Sequence, residues 1–280
     1  MIRYSIIIPH KNSIETLKRC LHSIPFRDDI QVIVIDDNSD LSITDFNFRI
    51  NSNVEFVFTK ESKGAGYARN KGLMKAIGKW ILFADADDFF EKDFDKILDE
   101  NFNSNADIVY YRTRSLISET LQETPSRINY QKIRNKNNLK YTHVPWGKMI
   151  SKELIEKYNV KFDETFVAND AYFSVFYGIN ATKIAFVDKI IYVSTVNKNS
   201  LYHNKTLEKE MIRLFVAKRI NDLLNQHHLS KKRICVLYLI CNLKKFSKEA
   251  YKKELSNYFK KESFMSILID LYKYFRIEFV

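Results

Sequence analysis

Three aspartates, Asp85, Asp87 and Asp88, directly follow the apolar run at residues 80–84 in the stretch KWILFADADDFF. Such a run is typical of a buried strand of a parallel sheet, and Asp85 and Asp87 can face one side of the chain where that strand ends. Carboxylate oxygens, together with phosphate oxygens, are ligands that Mg²⁺ and Mn²⁺ prefer. The stretch therefore predicts a divalent-cation site suited to a nucleotide diphosphate. The alternative is that the acidic residues only begin a helix, with one Asp as its cap.

Two further polar clusters follow predicted strands near the N-terminus. The sequence PHKN at residues 9–12 follows SIII, and DDNS at residues 36–39 follows QVIVI. Apolar residues at helical spacing, from Ile14 to Ile24, lie between the two strands, so this region is predicted to form a βαβ unit. Ligands of open α/β sheets bind beyond the carboxyl ends of the strands. We therefore expect the three polar clusters to converge on one crevice.

The composition is that of a globular protein. The chain has 280 residues, 45% of them hydrophobic, with 6 Gly and 4 Pro, and this length allows one large α/β domain with an appendage. The three cysteines, Cys20, Cys235 and Cys241, lack the spacing of a zinc site or a disulfide framework, which favours a reducing cytoplasm. No signal peptide and no membrane span is predicted, because the apolar runs are too short.

The net charge of +11 is concentrated near the C-terminus. Residues 205–280 contain 17 Lys and Arg against 8 Asp and Glu, a net charge of +9, so residues 1–204 carry only +2. This distribution argues against a nucleic-acid groove in the first part and predicts that the basic tail faces something anionic. The tail is either a helical bundle with solvated charges or a set of helices that lies on anionic lipid.

The remaining pattern predicts the other elements. We expect strands at 54–58 and 107–111, helices at 65–77 and 92–102, and a polar loop from 113 to 140. A second block at 144–201 should contain a helix at 169–178 and two strands, at 183–187 and 189–194. From residue 205 onward the pattern is helical throughout.

Four motifs together resemble one known family. SIIIPHKN, VIVIDDNSD, GAGYARNKGL and GKWILFADADDFF, in this order and spacing, resemble the N-terminal half of family 2 inverting glycosyltransferases over residues 3–110, with a weaker likeness to residue 201. The resemblance implies an α/β fold of the GT-A type, a Rossmann-like, mainly parallel sheet flanked by helices, here with a C-terminal helical appendage. It implies a GT-A domain at 1–204, with a nucleotide-binding half at 1–111 and an acceptor-side half at 141–204, followed by a basic helical region at 205–280.

The resemblance assigns the base pocket to the first two motifs. Pro9 and Asn12 would line a uracil pocket, and Asp37 would accept a hydrogen bond from the imide N–H, which suits an acceptor-only carboxylate. Many family members have an aromatic residue just before the Asn, where this chain has Lys11. His10 either stacks on the base in its place or closes a turn after Pro9.

The third and fourth motifs would bind the diphosphate. Gly66, Arg69 and Asn70 are assigned to the donor site, where the planar Arg fork suits phosphate or an acidic cluster; the alternative is a capping and surface role. Asp87 would ligate Mn²⁺ or Mg²⁺, and Asp85 would assist through water, the ribose or the donor sugar. Asp88 is the weakest metal candidate and is also placed to cap a helix.

The acceptor side carries the predicted base. The resemblance makes Asp170 the base that deprotonates the acceptor hydroxyl, and Asn169, in place of the commoner Glu, would contact the acceptor. The alternative is that Asn169 or Asp170 simply caps the following helix. Trp146 would stack on a sugar and Lys148 would meet a phosphate, although a Trp is more often buried. Lys198 and His203 match the family's diphosphate or metal positions only loosely.

The predicted activity is metal-dependent inverting transfer of a sugar from a UDP-sugar to a saccharide hydroxyl. By resemblance, the acceptor is attached to a membrane polyprenyl diphosphate in capsule, O-antigen or exopolysaccharide synthesis, with the protein cytoplasmic and peripheral on the inner face of the membrane. One alternative is a sugar nucleotidyltransferase, but its N-terminal glycine-rich signature is missing, since the first glycine is Gly64. The other is a catalytically inactive sugar- or membrane-binding module.

Overall fold

The computed structural model describes residues 1–40, 53–125, 128, 135–196 and 205–278. The chain divides into two compact units, Met1–Lys198 and Asn199–Val280. Within the described residues, no helix is both long enough and apolar enough to cross a membrane.

The N-terminal half of the first unit is the parallel part of its sheet. The strands are β1 (Tyr4–His10), β2 (Ile30–Asp36), β3 (Val54–Phe58) and β4 (Trp80–Phe83), and the helices are α1 (Ile14–His22) and α2 (Ala65–Lys75). β2 pairs with β1 and β3, and β1 also pairs with β4, all in parallel. The predicted βαβ unit is confirmed, and the carboxyl ends of β1, β2 and β4 lie at one edge of the sheet.

The other half makes the sheet mixed. Its strands are β5 (Phe89–Phe90), β6 (Ile108–Ile117), β7 (Glu123–Thr124), β8 (Lys148–Ser151) and β9 (Ile184–Val196), and its helices are α3 (Phe94–Asp99), α4 (Lys152–Tyr158) and α5 (Ala171–Asn180). Among the described residues the order is β3-β2-β1-β4-β8-β6-β9-β5, with β7 at the edge of β6. β8 runs antiparallel to both β4 and β6, whereas β9 runs parallel to β6 and antiparallel to β5.

Two parts of the second half differ from the prediction. The stretch from 113 to 140 is not simply a loop, because β6 extends to Ile117 and a short 3₁₀ helix spans Lys136–Tyr141. The polar residues of β6 are accommodated by partners on neighbouring segments: Ser115 shares a hydrogen bond of 2.7 Å with Ser194, and Arg114 pairs with Glu91 at 2.7 Å. The two strands predicted at 183–194 are one continuous strand, β9, whose pairing with β6 shifts register at Arg112.

The core lies on both faces of the sheet. Alternate residues of β1 enter different apolar clusters, with Ile6 and Ile8 in one and Ile7 in the other. Because both of its faces are covered, β1 is buried over its whole length, as central strands of parallel sheets are. The sheet is therefore a rigid platform for the polar residues at its carboxyl edge.

The second unit is helical, as the sequence predicts for the tail. It contains α6 (Leu207–Gln226), α7 (Val236–Leu243), α8 (Lys248–Lys261) and α9 (Phe264–Glu278). Leu214, Val236, Ile240 and Leu243 belong to its apolar core. A buried ion pair joins Arg233 to Asp270 at 2.9 Å.

Candidate active site

The end of β1 is tied to the end of β2 through His10. This ring is buried, with its Nδ1 2.7 Å from Oδ2 of Asp36, and the backbone N–H of Ser13 donates to its Nε2 at 3.2 Å. Because Nε2 accepts a hydrogen bond, Nδ1 carries the proton and donates to Asp36. The burial corrects the expectation that His10 stacks on a base and favours the alternative, a residue that closes the turn after Pro9.

Asn12 joins the loop after β1 to the loop after β2, and Asp37 joins the loop after β2 to the segment before α2. The Asn12 amide donates to the Asp40 carboxylate and accepts from the Asp40 backbone N–H, both at 2.9 Å. The buried Asp37 carboxylate accepts from the backbone N–H groups of Lys63 at 3.0 Å and Gly64 at 2.7 Å. A carboxylate has about four acceptor positions, so Asp37 keeps capacity for the imide N–H of a base. Its role in base recognition, and those of Asn12 and the buried Pro9, stay predictions.

Gly66 and Asn70 attach α2 to the segment at residues 162–170, which precedes α5. A Cβ on Gly66 would lie 2.0 Å from the carbonyl oxygen of Asp163, so only glycine fits. The Asn70 amide accepts from the Phe162 N–H at 2.8 Å and donates to the Phe162 carbonyl at 3.0 Å. Both residues thus position the acceptor-side segment, and the structure gives no direct support to their assigned contact with the donor.

The three aspartates form one cluster beyond β4, on what we name the acidic turn, residues 85–88. One carboxylate oxygen from each aspartate lies within 4.8 Å of those from the other two. Asp87 is exposed and Asp85 is partly exposed, whereas Asp88 is buried. Asp88 accepts from the Tyr192 hydroxyl at 2.7 Å and the Thr195 N–H at 2.6 Å. The helix-cap interpretation of Asp88 is wrong, since α3 begins later, after Asp93.

Arg69 joins the acidic turn to the segment before α5. Its guanidinium donates to the Asp85 carboxylate at 2.5 Å and to the amide oxygen of Asn169 at 2.8 Å, and the residue is 4% exposed. The Asn169 amide nitrogen donates in turn to the Thr165 carbonyl at 3.2 Å. Arg69 therefore pairs with the acidic cluster, one of the two partners predicted for it, and the contact of Asn169 with an acceptor stays a prediction.

Asp170 occupies the N-cap position of α5 without capping it. Its side chain accepts no hydrogen bond from the first turn of the helix, so the capping alternative is not supported. Burial raises the pKa of this carboxyl above its ordinary 3.8, and the nearby Arg69 charge partly opposes the rise. A general base is most effective when its pKa approaches the operating pH, so the environment of Asp170 suits the predicted role.

Trp146 and Lys148 are more buried than the sequence suggests. Trp146 stacks on the Tyr192 ring with centroids 5.3 Å apart and lies in the core; its burial corrects the expectation that it stacks on a sugar. Lys148 is also buried, and its Nζ lies 3.4 Å from Oγ1 of Thr142. Burial lowers the pKa of Lys148 to about 7, against the opposing charge of Asp170. Its contact with a phosphate stays a prediction.

Sequence reasoning missed Tyr192 and Thr195. Both belong to β9, about a hundred residues after the acidic turn, and only the antiparallel pairing of Phe90 with Tyr192 brings them to it. The sequence of β9, in which these residues follow an ordinary strand pattern, gives no local signal of such a contact. Lys198 and His203 lie outside the described residues.

The carboxylate oxygens of the acidic turn are suitable ligands for a hard divalent cation. Asp87 offers an exposed carboxylate, and Asp85 offers a second one that Arg69 holds in place. Mg²⁺ and Mn²⁺ are commonly bound by one or two protein carboxylates with phosphate oxygens and water completing the shell. Asp87 and Asp85 are therefore the residues that would hold the ion.

Comparison with known proteins shows the family of the chain. The family model described as glycosyl transferase family 2 matches residues 5–158. The uncharacterized glycosyltransferase YibD of Escherichia coli is 23% identical over 251 residues, covering 82% of this chain and 73% of that protein. The poly(ribitol-phosphate) beta-N-acetylglucosaminyltransferase TarS of Staphylococcus aureus is 26% identical over 247 residues, covering 81% of this chain and 42% of that protein.

A solved structure agrees with the fold. The crystal structure of S. aureus TarS 1-349 in complex with UDP-GlcNAc superposes with a TM-score of 0.69 at 20% identity, covering 85% of this chain and 72% of that one. This likeness confirms the predicted GT-A fold. Because the family model covers more than half of the sequence, the chain is a glycosyltransferase that belongs to glycosyl transferase family 2.

Proposed function

We propose that the protein transfers a sugar, with inversion, from a UDP-sugar to a hydroxyl group of a saccharide, with Mn²⁺ or Mg²⁺ at the acidic turn. The observation that carries this proposal is the Arg69 bridge, which holds Asp85 and the segment of Asp170 at the same crevice. A metal–diphosphate site and a base must lie close together for such a transfer. The UDP-GlcNAc complex of the similarly folded TarS supports a nucleotide-sugar donor.

The residues divide the chemistry between them. Asp170 would accept the proton of the acceptor hydroxyl as that oxygen attacks the anomeric carbon from the face opposite the diphosphate. Arg69 would keep Asp85 oriented while contributing positive charge near the leaving group. A divalent cation, when bound, would supply further charge stabilisation of the departing diphosphate.

We also propose the class of acceptor. The name of TarS states that it is a poly(ribitol-phosphate) beta-N-acetylglucosaminyltransferase, and this supports a role for our protein in polysaccharide synthesis. We infer a saccharide acceptor of a capsule, O-antigen or exopolysaccharide repeat unit, linked to polyprenyl diphosphate at the inner face of the membrane.

A thermal-shift panel of nucleotides and nucleotide sugars, each with and without Mn²⁺, tests the donor assignment. A ligand that binds the folded state raises stability by about 2.7 kcal/mol at a hundred times its Kd. We expect UDP and UDP-sugars to raise the Tm by several degrees in the presence of Mn²⁺ and less in its absence. Stabilisation by GDP or dTDP in preference to UDP would contradict the assignment of uracil as the donor's nucleobase. If no nucleotide stabilises the protein, the proposed activity is contradicted.

The second unit carries an exposed apolar helix face that would suit a membrane surface. Ile267, Leu271 and Tyr274 of α9 pack against the core of this unit. The exposed residues of the same helix include five large apolar or aromatic side chains: Phe264, Met265, Leu268, Tyr272 and Phe275. The exposed Lys260 and Lys261 lie at the end of α8, a few residues before α9 begins.

We propose that this face lies on an anionic bilayer. Aromatic and aliphatic side chains enter the interface while basic residues meet anionic head groups, each worth about 1 kcal/mol near the surface. The net charge of +9 on residues 205–280 complements such a surface.

Vesicle flotation tests the membrane proposal. We expect the protein to float with phosphatidylglycerol-containing vesicles at low salt and to be released by high salt, because exposed charges are screened. The double variant Phe264→Ser/Leu268→Ser should reduce the bound fraction about tenfold, whereas Met74→Ser, which removes an exposed apolar residue of α2, should not. Equal binding of both variants would contradict the role of α9. If the wild-type protein does not bind the vesicles at low salt, the proposal that it binds an anionic membrane is contradicted.

A further inference from the structure

The hydroxyl group of Tyr192 lies inside the acidic turn. It accepts a hydrogen bond from the backbone N–H of Asp85 at 2.9 Å and donates one to Oδ2 of Asp88 at 2.7 Å. The residue is completely buried. One oxygen atom therefore connects the beginning of the acidic turn to its end.

Thr195 holds the same turn at two other points. Its backbone N–H donates to Oδ1 of Asp88 at 2.6 Å, and its Oγ1 donates to the backbone carbonyl of Asp87 at 2.8 Å. Tyr192 and Thr195 thus contact each of the three aspartates, through a backbone group of Asp85 and Asp87 and through the carboxylate of Asp88. Asp85 is partly exposed and Asp87 is exposed, so their side chains are accessible from solvent.

The Tyr192 ring is fixed independently of its hydroxyl. It stacks on Trp146, and the Phe90 ring meets it edge-on with centroids 5.5 Å apart. The pairing of β5 with β9, which aligns Phe90 with Tyr192, fixes the position of Tyr192 along the strand, beside the turn. A Phe at this position would keep this packing. The hydroxyl group therefore orients the acidic turn through its hydrogen bonds and adds little to the packing of the core.

We propose that Tyr192 and Thr195 are positioning residues that aim the carboxylates of Asp85 and Asp87 at the cation, through which the diphosphate would be held. This inference rests on the proposed function, because it assumes that the acidic turn binds the cation. Groups that orient metal ligands typically change metal affinity 10- to 100-fold when they are removed, and a site is effective only when its ligands are held close to the productive geometry. Asp88 is, in this arrangement, the buried anchor of the turn.

The variant Tyr192→Phe tests the inference through binding. Calorimetric titration of Mn²⁺ in the presence of UDP should show an apparent metal affinity at least about tenfold weaker than that of the wild type. Saturating Mn²⁺ should restore UDP binding to near the wild-type level. The matched control is Tyr111→Phe, another buried tyrosine, whose hydroxyl donates to the Met149 sulfur at 3.5 Å. The control should bind Mn²⁺ and UDP as the wild type does.

Thr195 provides a second pair of variants. Thr195→Val removes the hydroxyl that binds the Asp87 carbonyl and should weaken Mn²⁺ binding several-fold, whereas Thr195→Ser keeps the hydroxyl and should restore it. This pair keeps the test decisive if Tyr192→Phe does not fold. A loss that Ser does not rescue would overturn the role of the Thr195 hydroxyl.

The outcomes separate this inference from the proposed function. A wild-type protein whose UDP binding ignores Mn²⁺ would contradict the metal site and with it the positioning role, because that role is to orient carboxylates toward the cation. If the wild type responds to Mn²⁺ and Tyr192→Phe responds equally, the positioning role is overturned. Equal losses in Tyr192→Phe and Tyr111→Phe would indicate general loosening of the core and would also overturn it.

Discussion

Replacing Asp170 by Asn should stop sugar transfer while leaving donor binding intact. The amide has nearly the same shape as the carboxyl group but cannot accept the proton of the attacking hydroxyl. A positioned general base typically contributes 10²- to 10⁴-fold to the rate, so we expect kcat to fall about a thousandfold. The affinity for UDP with Mn²⁺, measured by calorimetry, should change less than threefold, because the bonds of Arg69 go to Asp85 and Asn169.

The pH dependence of transfer should report the same group. Only the ionised carboxylate accepts a proton, so activity rises with pH through the pKa of Asp170. Since burial raises that pKa above 3.8, the acid limb of the kcat/KM profile should lie at higher pH than for an ordinary aspartate. The limb should disappear from the residual activity of Asp170→Asn.

An exposed aspartate provides the control for this substitution. Asp188 on β9 is exposed and pairs with Arg112 at 3.2 Å, and Asp188→Asn should keep the rate and the pH profile of the wild type. Unchanged turnover in Asp170→Asn would contradict the base assignment. A large loss of UDP affinity would instead indicate that Asp170 supports the donor site.

The sequence predicts the elements whose signals are local. The strands at the N-terminus are continuous apolar runs that end in polar residues, so their order and the edge where they meet follow from pattern alone. The clustering of Asp85, Asp87 and Arg69 at that edge follows for the same reason. β6 is underestimated because its arginines look like loop residues until their partners, Glu91 and Asp188, are known.

Burial of single polar and aromatic side chains could not be predicted in this way. Trp146 and His10 have the residue types of ligand-stacking groups, yet each is covered by a partner distant in sequence, Tyr192 and Asp36. Asn70 resembles a donor contact, but its amide is used by the backbone of Phe162, 92 residues later. These contacts depend on how the sheet brings separate segments together, and no local pattern encodes that.

Replacing Asp87 by Ala should abolish the part of donor binding that depends on metal. Asp88 is buried against Tyr192 and Thr195 and Asp85 is partly exposed, whereas Asp87 is exposed and therefore the most accessible of the three to a cation. We expect apparent Mn²⁺ affinity, titrated in the presence of UDP, to fall at least about a hundredfold, at the upper end of losses seen when site-supporting groups are removed. Turnover should fall with it, because the diphosphate loses its main charge stabilisation.

The control for Asp87→Ala is Asp28→Ala, which removes an exposed aspartate from the loop before β2, at the opposite edge of the sheet. It should leave Mn²⁺ affinity, UDP affinity and turnover unchanged, and both variants should keep the thermal stability of the metal-free protein, since neither side chain is buried. If Asp87→Ala still binds UDP in a Mn²⁺-dependent manner, the cation is held elsewhere. If the metal-free variant binds UDP as weakly as the metal-free wild type and Mn²⁺ no longer improves it, the loss is specific to the ion, because a collapse of the pocket would lower metal-free UDP binding as well.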